Sequence, residues 1–182
     1  MIHNIHTLKN GSTIIIREAN FNDAMAINEL AVNIYATTDQ TLTSAKEFDP
    51  LSNLDSQIKR IQHYNEAKGK CFLLAEHNNK LIGMIDFSNG HRLKNQHTGE
   101  LGMGVLEEFR NLGVGRYLMN DMIQWAKENP IINKLKLAVF ASNSVAVSLY
   151  KNLGFVEEGR KIDEIKQLNG TLIDVIEMYL KV

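Results

Sequence analysis

Two hydrophobic periods alternate along this chain, and their order predicts its elements. Residues 12–17 hold the β-branched run Thr13-Ile14-Ile15-Ile16, which predicts a strand. Asn22 or Asp23 can then cap a helix on which Ala24, Ile27, Leu30, Ala31 and Ile34 fall at helical spacing. Residues 37–53 are polar, contain Pro50 and read as a loop. Residues 54–67 put Leu54, Ile58 and Ile61 on one helical stripe. Residues 71–76 and 80–87 are strands joined by His77-Asn78-Asn79, a hairpin signal, and residues 88–96 form a polar loop.

The second half repeats the alternation. Residues 98–105 form a strand. A glycine-containing loop follows, then a helix to about residue 128 with Val114, Leu118, Met122 and Trp125 on one face. Pro130 stands where that helix must have stopped. Residues 134–140 alternate into a strand, and residues 144–152 are a short helix ended by Gly154. A strand starts at residues 155–158. Residues 172–180 return as its partner across the Asn169-Gly170 turn. The order is β-α-α-β-β-β-α-β-α-β-β, a mixed α+β sheet. No repeat or Gly/Ser linker divides it, so the expectation is a single domain over residues 1–182, with its core from about residue 12.

Composition narrows the class. At 182 residues, 44% hydrophobic and 23% charged, the balance is globular. The net charge of −1 supplies no field to recruit nucleic acid or an anionic membrane. The lone cysteine, Cys71, rules out an internal disulfide and fits a reducing compartment. No apolar run approaches the roughly 18 residues of a membrane span. No early run resembles a signal peptide. The expectation is a soluble cytoplasmic protein.

The loop Arg110-Asn111-Leu112-Gly113-Val114-Gly115 carries the chemistry. A helix start offers unpaired N–H groups and the positive end of the helix dipole, which together suit phosphate. Glycines allow close approach, and Arg110 and Arg116 add charge nearby. A plain strand-to-helix turn that needs glycine for its geometry would look similar. No G-x-x-x-x-G-K-[ST] run is present, and no G-x-G-x-x-G either: the Gly102-Met103-Gly104 and Gly113-Val114-Gly115 segments both lack the third glycine.

The loop resembles the [Q/R]-x-x-G-x-[G/A] hallmark of the GNAT superfamily of acetyl-CoA-dependent N-acetyltransferases, here following Val105. A second stretch agrees. The residues from Asn143 through Ala146, Leu149 and Tyr150 to Gly154-Phe155 resemble the family's N-x-x-A-x-x-L-Y-x-x-x-G-F segment. The resemblance implies a GNAT-like acyl-CoA N-acyltransferase fold of mixed αβα layers. Its central twisted sheet is mostly antiparallel, with about seven strands flanked by about four helices. It also implies that two neighbouring strands splay apart and that acetyl-CoA fills the gap. The pantetheine arm then meets the backbone of Val105, Leu106 and Glu107, with Leu106 supplying an oxyanion donor. The pyrophosphate sits on the amides of Arg110, Asn111, Leu112, Gly113, Val114 and Gly115, with Arg116 starting the helix.

Acetyl transfer to an amine needs a held thioester, a neutral amine, oxyanion donors and a proton for the thiolate. Tyr150 matches the family's general acid; a tyrosine packing the short helix on the sheet is the structural alternative. Asn143 matches a cofactor contact and is also a preferred helix cap. Glu100 is the candidate base, because it shares one strand face with Gly102 and Gly104, an open floor. A solvated strand-end carboxylate is the other reading of Glu100, and Asp86 is a weaker candidate for the base. Cys71 reads as a small core residue, so direct attack by the amine is expected. The six histidines show no metal-ligand spacing, and no metal is expected.

The acceptor is less defined. Asp39, Glu47, Asp49 and Asp55 lie in or near the connection between the first two helices, where they can attract a cationic amine or be solvated surface. The implied acceptors are a small amine or amino acid, a polyamine, an antibiotic or a protein N-terminus. The whole chain resembles bacterial stand-alone members, and family analogy implies a homodimer paired through the C-terminal strands. The reading from a different class is a CoA-binding sensor or interaction module that has lost catalysis. Thiol release from acetyl-CoA across a panel of amines separates the two.

Overall fold

A computed structural model of the chain describes residues 2–44, 47–48 and 54–182. Eight strands form one sheet: β1 (His3–Thr7), β2 (Thr13–Glu18), β3 (Lys70–His77), β4 (Lys80–Asn89), β5 (Thr98–Val105), β6 (Lys134–Phe140), β7 (Val156–Lys166) and β8 (Leu172–Lys181). Their order across the sheet is β1-β2-β3-β4-β5-β6-β8-β7. Among the described residues four α-helices accompany the sheet: α1 (Ala24–Ala36), α2 (Leu54–Glu66), α3 (Val114–Glu128) and α4 (Ser144–Asn152). The mixed α+β sheet and the element order follow the sequence pattern.

Local chemistry explains the boundaries. Asn78 and Asn79 both take positive φ, 48° and 62°, which two-residue hairpins with matched twist require. Asn20 caps the turn that leads into α1, accepting from the Asn22 amide while Asp23 bonds back to the Asn20 amide. Gly154, at φ 90°, lets the chain leave α4 in the left-handed conformation.

The eighth strand is β1, at a sheet edge. Its sequence, HNIHT, is polar, and every pairing it makes is with the backbone of β2, from His3↔Arg17 to Thr7↔Thr13. A polar edge strand has no hydrophobic period to announce it and protects the sheet from further pairing. Contacts with α3 hold it down. The Lys9 amide donates to the Leu112 carbonyl at 3.1 Å, Tyr117 Oη donates to the Thr7 carbonyl at 2.8 Å, and His6 Nε2 donates to Asp121 Oδ2 at 3.0 Å.

Helices cover both faces. α1 and α2 lie on one side: a Cβ on Gly104 of β5 would meet Ile34 of α1. α3 lies on the other: a Cβ on Gly83 of β4 would meet Val114 and Leu118 at 3.2 Å. Ile16, Leu74, Ile85, Leu118 and Met122 are fully buried between these layers. Cys71 is buried on β3, as read from the sequence, and burial pushes its thiol well above the usual range, so it stays protonated and inert.

The sheet parts between β5 and β6. β5 and β6 run parallel, and they pair only from Thr98↔Lys134 to Glu100↔Lys136. Beyond Glu100 the strands separate: β5 stays paired with β4 as far as Val105, while β6 stays paired with β8 as far as Phe140. A seam opens between them.

Candidate active site

The seam is built from backbone first. The Leu106 amide donates to the Ile82 carbonyl at 2.9 Å. In an antiparallel ladder the bonded residues alternate, so Gly104 and Gly102 also turn toward β4. Leu101, Met103 and Val105 therefore direct their backbone groups into the seam. This corrects the expectation for Leu106, whose amide is spent inside the sheet; Met103 and Val105 hold the positions from which a donor reaches the gap.

Two spaces open along the seam. The larger, about 790 Å³, runs past Val105, Arg110, Asn111, Leu112, Gly113, Gly115 and Arg116 to α4. The smaller, about 470 Å³, lies under α1 and the ends of β6 and β7. They share Ile34, Gln40, Thr41, Met103, Gly104, Asn143 and Tyr150, so each opens into the other.

One end of the larger groove is the start of α3. Gly113 is its N-cap at φ 109°, with no side chain capping the helix. The first helical rung runs from the Tyr117 amide to the Gly113 carbonyl, which leaves the amides of Val114, Gly115 and Arg116 without helical acceptors. Asn111 also takes positive φ, 63°, and folds the loop back against the helix start. These free amides, with the dipole of a fifteen-residue helix behind them, make this end of the groove suited to an anion. Val114 takes part through its amide alone, since its side chain is buried in the core. Leu106 and Glu107 do not line the groove: Leu106 is buried and Glu107 is exposed beside it.

Arg110 has a different task from the one expected. Its Nε donates to the Val105 carbonyl at 3.1 Å, and its two Nη atoms donate to the Thr37 carbonyl and Thr37 Oγ1 at 3.2 and 2.9 Å. It ties the end of β5 to the end of α1. Arg116 and Lys9 are the other cations lining the groove.

Asn143 and Tyr150 sit where the spaces meet. Asn143 Oδ1 accepts from the Ala146 amide at 3.1 Å, so it caps α4 and still leaves its NH₂ toward the cavity. Tyr150 is 8% exposed, and burial pushes its phenol up to about 12. It stays protonated across the physiological range.

The acidic groups in the smaller cavity are not those expected from the α1–α2 connection. Asp39 bonds to Gln40 and Gln167, Glu47 to Ser44, and Asp55 opens α2; none of these lines either space. Asp49 lies outside the described residues. Glu100 keeps its predicted face but lies beyond the end of the cavity, 78% exposed and 3.3 Å from Lys136 Nζ. Asp86 is inside. Its Oδ2 accepts from Tyr64 Oη at 2.6 Å and its Oδ1 pairs with Arg60 Nη2 at 3.0 Å. Burial, then the Asp86 charge, push the Tyr64 phenol above its usual range, so it remains the donor. Burial is the largest single influence on the Arg60 guanidinium and lowers it, but the charges and hydrogen bonds of Asp86 and Tyr64 together hold it above its ordinary value. Sequence reading had not singled out Arg60, because nothing local marks a helix residue that meets a strand so far along the chain.

The sequence model of the acetyltransferase (GNAT) family matches residues 34–155, more than half of the chain and the whole of the seam. The chain belongs to the GNAT family. It is an acetyltransferase-type acyltransferase. A Streptococcus pneumoniae GNAT acetyltransferase superposes with a TM-score of 0.87 at 26% identity, over 93% of this chain and 99% of that one. The spermidine N(1)-acetyltransferase of Vibrio cholerae is 27% identical over 135 residues, 74% of this chain and 73% of its own. The N-alpha-acetyltransferase of Sulfurisphaera tokodaii is 34% identical over 107 residues, 53% of this chain and 62% of its own. Among the described residues no helix is long and apolar enough to cross a membrane. Among them, too, no group of three or more His, Cys, Asp or Glu could hold a metal.

Proposed function

We propose that the protein transfers an acetyl group from acetyl-CoA directly to an amine held in the smaller cavity. The observation that carries this reading is the meeting of the two spaces at Met103, Gly104, Asn143 and Tyr150. A donor in the groove and an acceptor in the cavity would confront each other there, with no covalent carrier between them. The relatives named above act on spermidine and on N-alpha groups, and each of these acceptors is an amine.

The groove fits a CoA. The uncapped start of α3 would hold the pyrophosphate, and the narrow seam between β5 and β6 would hold the arm against the backbone of Met103 and Val105. Bound acetyl-CoA supplies an activated acetyl thioester. The chain supplies the rest. Met103 and Val105 aim amide donors at the seam. Tyr150 holds its proton on Oη and gives it to the departing thiolate. Asn143 orients the donor through its free NH₂. Asp86 is the carboxylate that faces the amine; Glu100, solvated and paired with Lys136, is not given the role of base. The proton leaving the amine passes through water.

Thiol release from acetyl-CoA, followed across amines, amino acids, a polyamine and a peptide N-terminus, tests the reading. Turnover with at least one class is expected. Tight binding of acetyl-CoA with no thiol release on any of them would instead favour a sensor module.

A further inference from the structure

The wall of the smaller cavity carries two opposite charges side by side. Arg60, from α2, and Asp86, from β4, both line it, with Nη2 and Oδ1 3.0 Å apart. Both are half-buried, and both are held. The Arg60 guanidinium lies over the Phe72 ring, 4.7 Å from its centre, and Tyr64 Oη fixes the far carboxylate oxygen. Among the described residues the neighbouring strand leaves the pair open. Gly102 stands opposite Asp86 in the β4–β5 register, and a Cβ there would find only Asp86 Oδ1, at 3.6 Å. The other charged residues facing this space are Lys161 and Glu164 on β7, and Lys161 is engaged by Glu177 at 2.7 Å.

We propose that the Arg60–Asp86 pair is a receptor for the zwitterionic headgroup of a free α-amino acid, the α-ammonium against Asp86 and the α-carboxylate against the remaining N–H groups of Arg60. This rests on the acetyltransferase reading above and names its acceptor class. The argument is one of net charge. The pair is neutral as a unit, so a ligand with net charge seated on it adds a charge that the pair itself does not compensate; Glu164, on β7, is a separate carboxylate of the lining. A polyamine does so, and so does a peptide N-terminus. A zwitterion does not: its two charges are as closely spaced as the pair's and lie antiparallel to them. Arg60 has five N–H donors in a planar fork, and a carboxylate matches that fork. The apolar side of the cavity, with Tyr35, Leu137, Val139 and Val175, then receives the amino-acid side chain, which selects an apolar one. In the transfer the α-nitrogen forms the amide C–N bond, and the thioester C–S bond breaks. The ammonium gives up two protons; Tyr150 passes one to the thiol, and one is released to water.

Steady-state thiol release with leucine, leucinamide, isoamylamine and spermidine tests this, using the full chain at one pH. A KM for leucine about tenfold or more below those of the other three is expected. Arg60→Gln should raise the leucine KM about tenfold and leave the leucinamide KM no higher than in the wild type; Arg60→Lys should recover part of the loss. A wild-type preference for spermidine or isoamylamine overturns the proposal. So does an Arg60→Gln variant that weakens all four amines alike. If Arg60→Gln does not fold, the wild-type series decides alone. Calorimetry of leucine and leucinamide on the protein–CoA complex separates the two readings. Leucine binding without turnover removes the catalytic reading and keeps the receptor. Turnover of other amines with no leucine binding removes the receptor and keeps the catalysis.

Discussion

Gly104 and Ile34 touch where the two cavities meet: a Cβ built on Gly104 would lie 2.8 Å from Ile34 Cδ1. β5 can therefore carry no side chain at this point without displacing α1. Both residues line both spaces, so the contact sets the width of the passage between them. Gly104→Val is expected to cost about 1–3 kcal/mol of stability, the usual range for overpacking. It should also suppress acetyl transfer more than CoA binding, because the passage is blocked and the helix start is untouched. Urea denaturation and calorimetric titration of CoA measure the two effects separately.

Tyr150 gives a pH prediction with a definite sign. Burial raises its phenol from 10 to about 12 in the folded state, because the charged form is disfavoured there. The folded protein thus holds this proton more tightly than the unfolded chain. The stability this provides is complete below pH 10 and is lost as pH rises from 10 toward 12. Tyr150→Phe should remove that loss from the stability–pH curve. It should also lower kcat about 10²–10⁴-fold with the Kd for CoA unchanged. An unaltered kcat at every pH would take the proton-donor role away from Tyr150.

Asn143 has two separable jobs. Its Oδ1 caps α4 through the Ala146 amide, and its NH₂ is open to the cavity. Asn143→Ala should lose about 1 kcal/mol, the typical value of a cap, and should weaken CoA binding. Asn143→Asp keeps an acceptor for the cap but has no NH₂, so it should recover stability and leave CoA binding impaired. Equal binding by wild type and Asn143→Asp, measured by calorimetry, would leave Asn143 as a cap alone.

Gly113 holds the anion site in a conformation other residues avoid. At φ 109° an alanine is strained, although only the Tyr117 ring lies near its Cβ, at 3.5 Å. Gly113→Ala should cost about 1–2 kcal/mol from backbone strain. It should also weaken CoA binding, because relaxing the strain turns the free amides of the α3 start away. Thermal melts with and without CoA check both, and the stabilisation by CoA should shrink in the variant.

The features legible in the sequence share a short range. The Asn78-Asn79 turn, the amphipathic face of α3, Pro130 beyond its end, the Asn143 cap and the glycine loop at residues 110–115 are each decided within a few residues. Their physics is local backbone preference and side-chain period, which a sequence carries directly. β1 carries no apolar period because its stability comes from backbone pairing with β2 and from three hydrogen bonds, Lys9 to Leu112, Tyr117 of α3 to Thr7, and His6 to Asp121 of α3, none of which needs an apolar pattern.

Tertiary structure decided the rest, and the acceptor side most of all. β5 parts from β6 after Glu100 while β6 stays paired along its other edge with β8, an arrangement of strands distant in sequence. That parting gives Met103 and Val105, not Leu106, their open amides, and it leaves Glu100 outside the cavity that its neighbours Gly102 and Gly104 line. The juxtaposition of Arg60 with Asp86 is set by the packing of α2 on the sheet, a contact between segments that carry no mark of each other. The sequence by itself determined the family and located the glycine-containing start of α3 and the tyrosine of α4, because motifs encode local geometry. Which charges line the cavity was decided only when distant strands and helices closed on one another, because charge complementarity is a property of the assembled cavity.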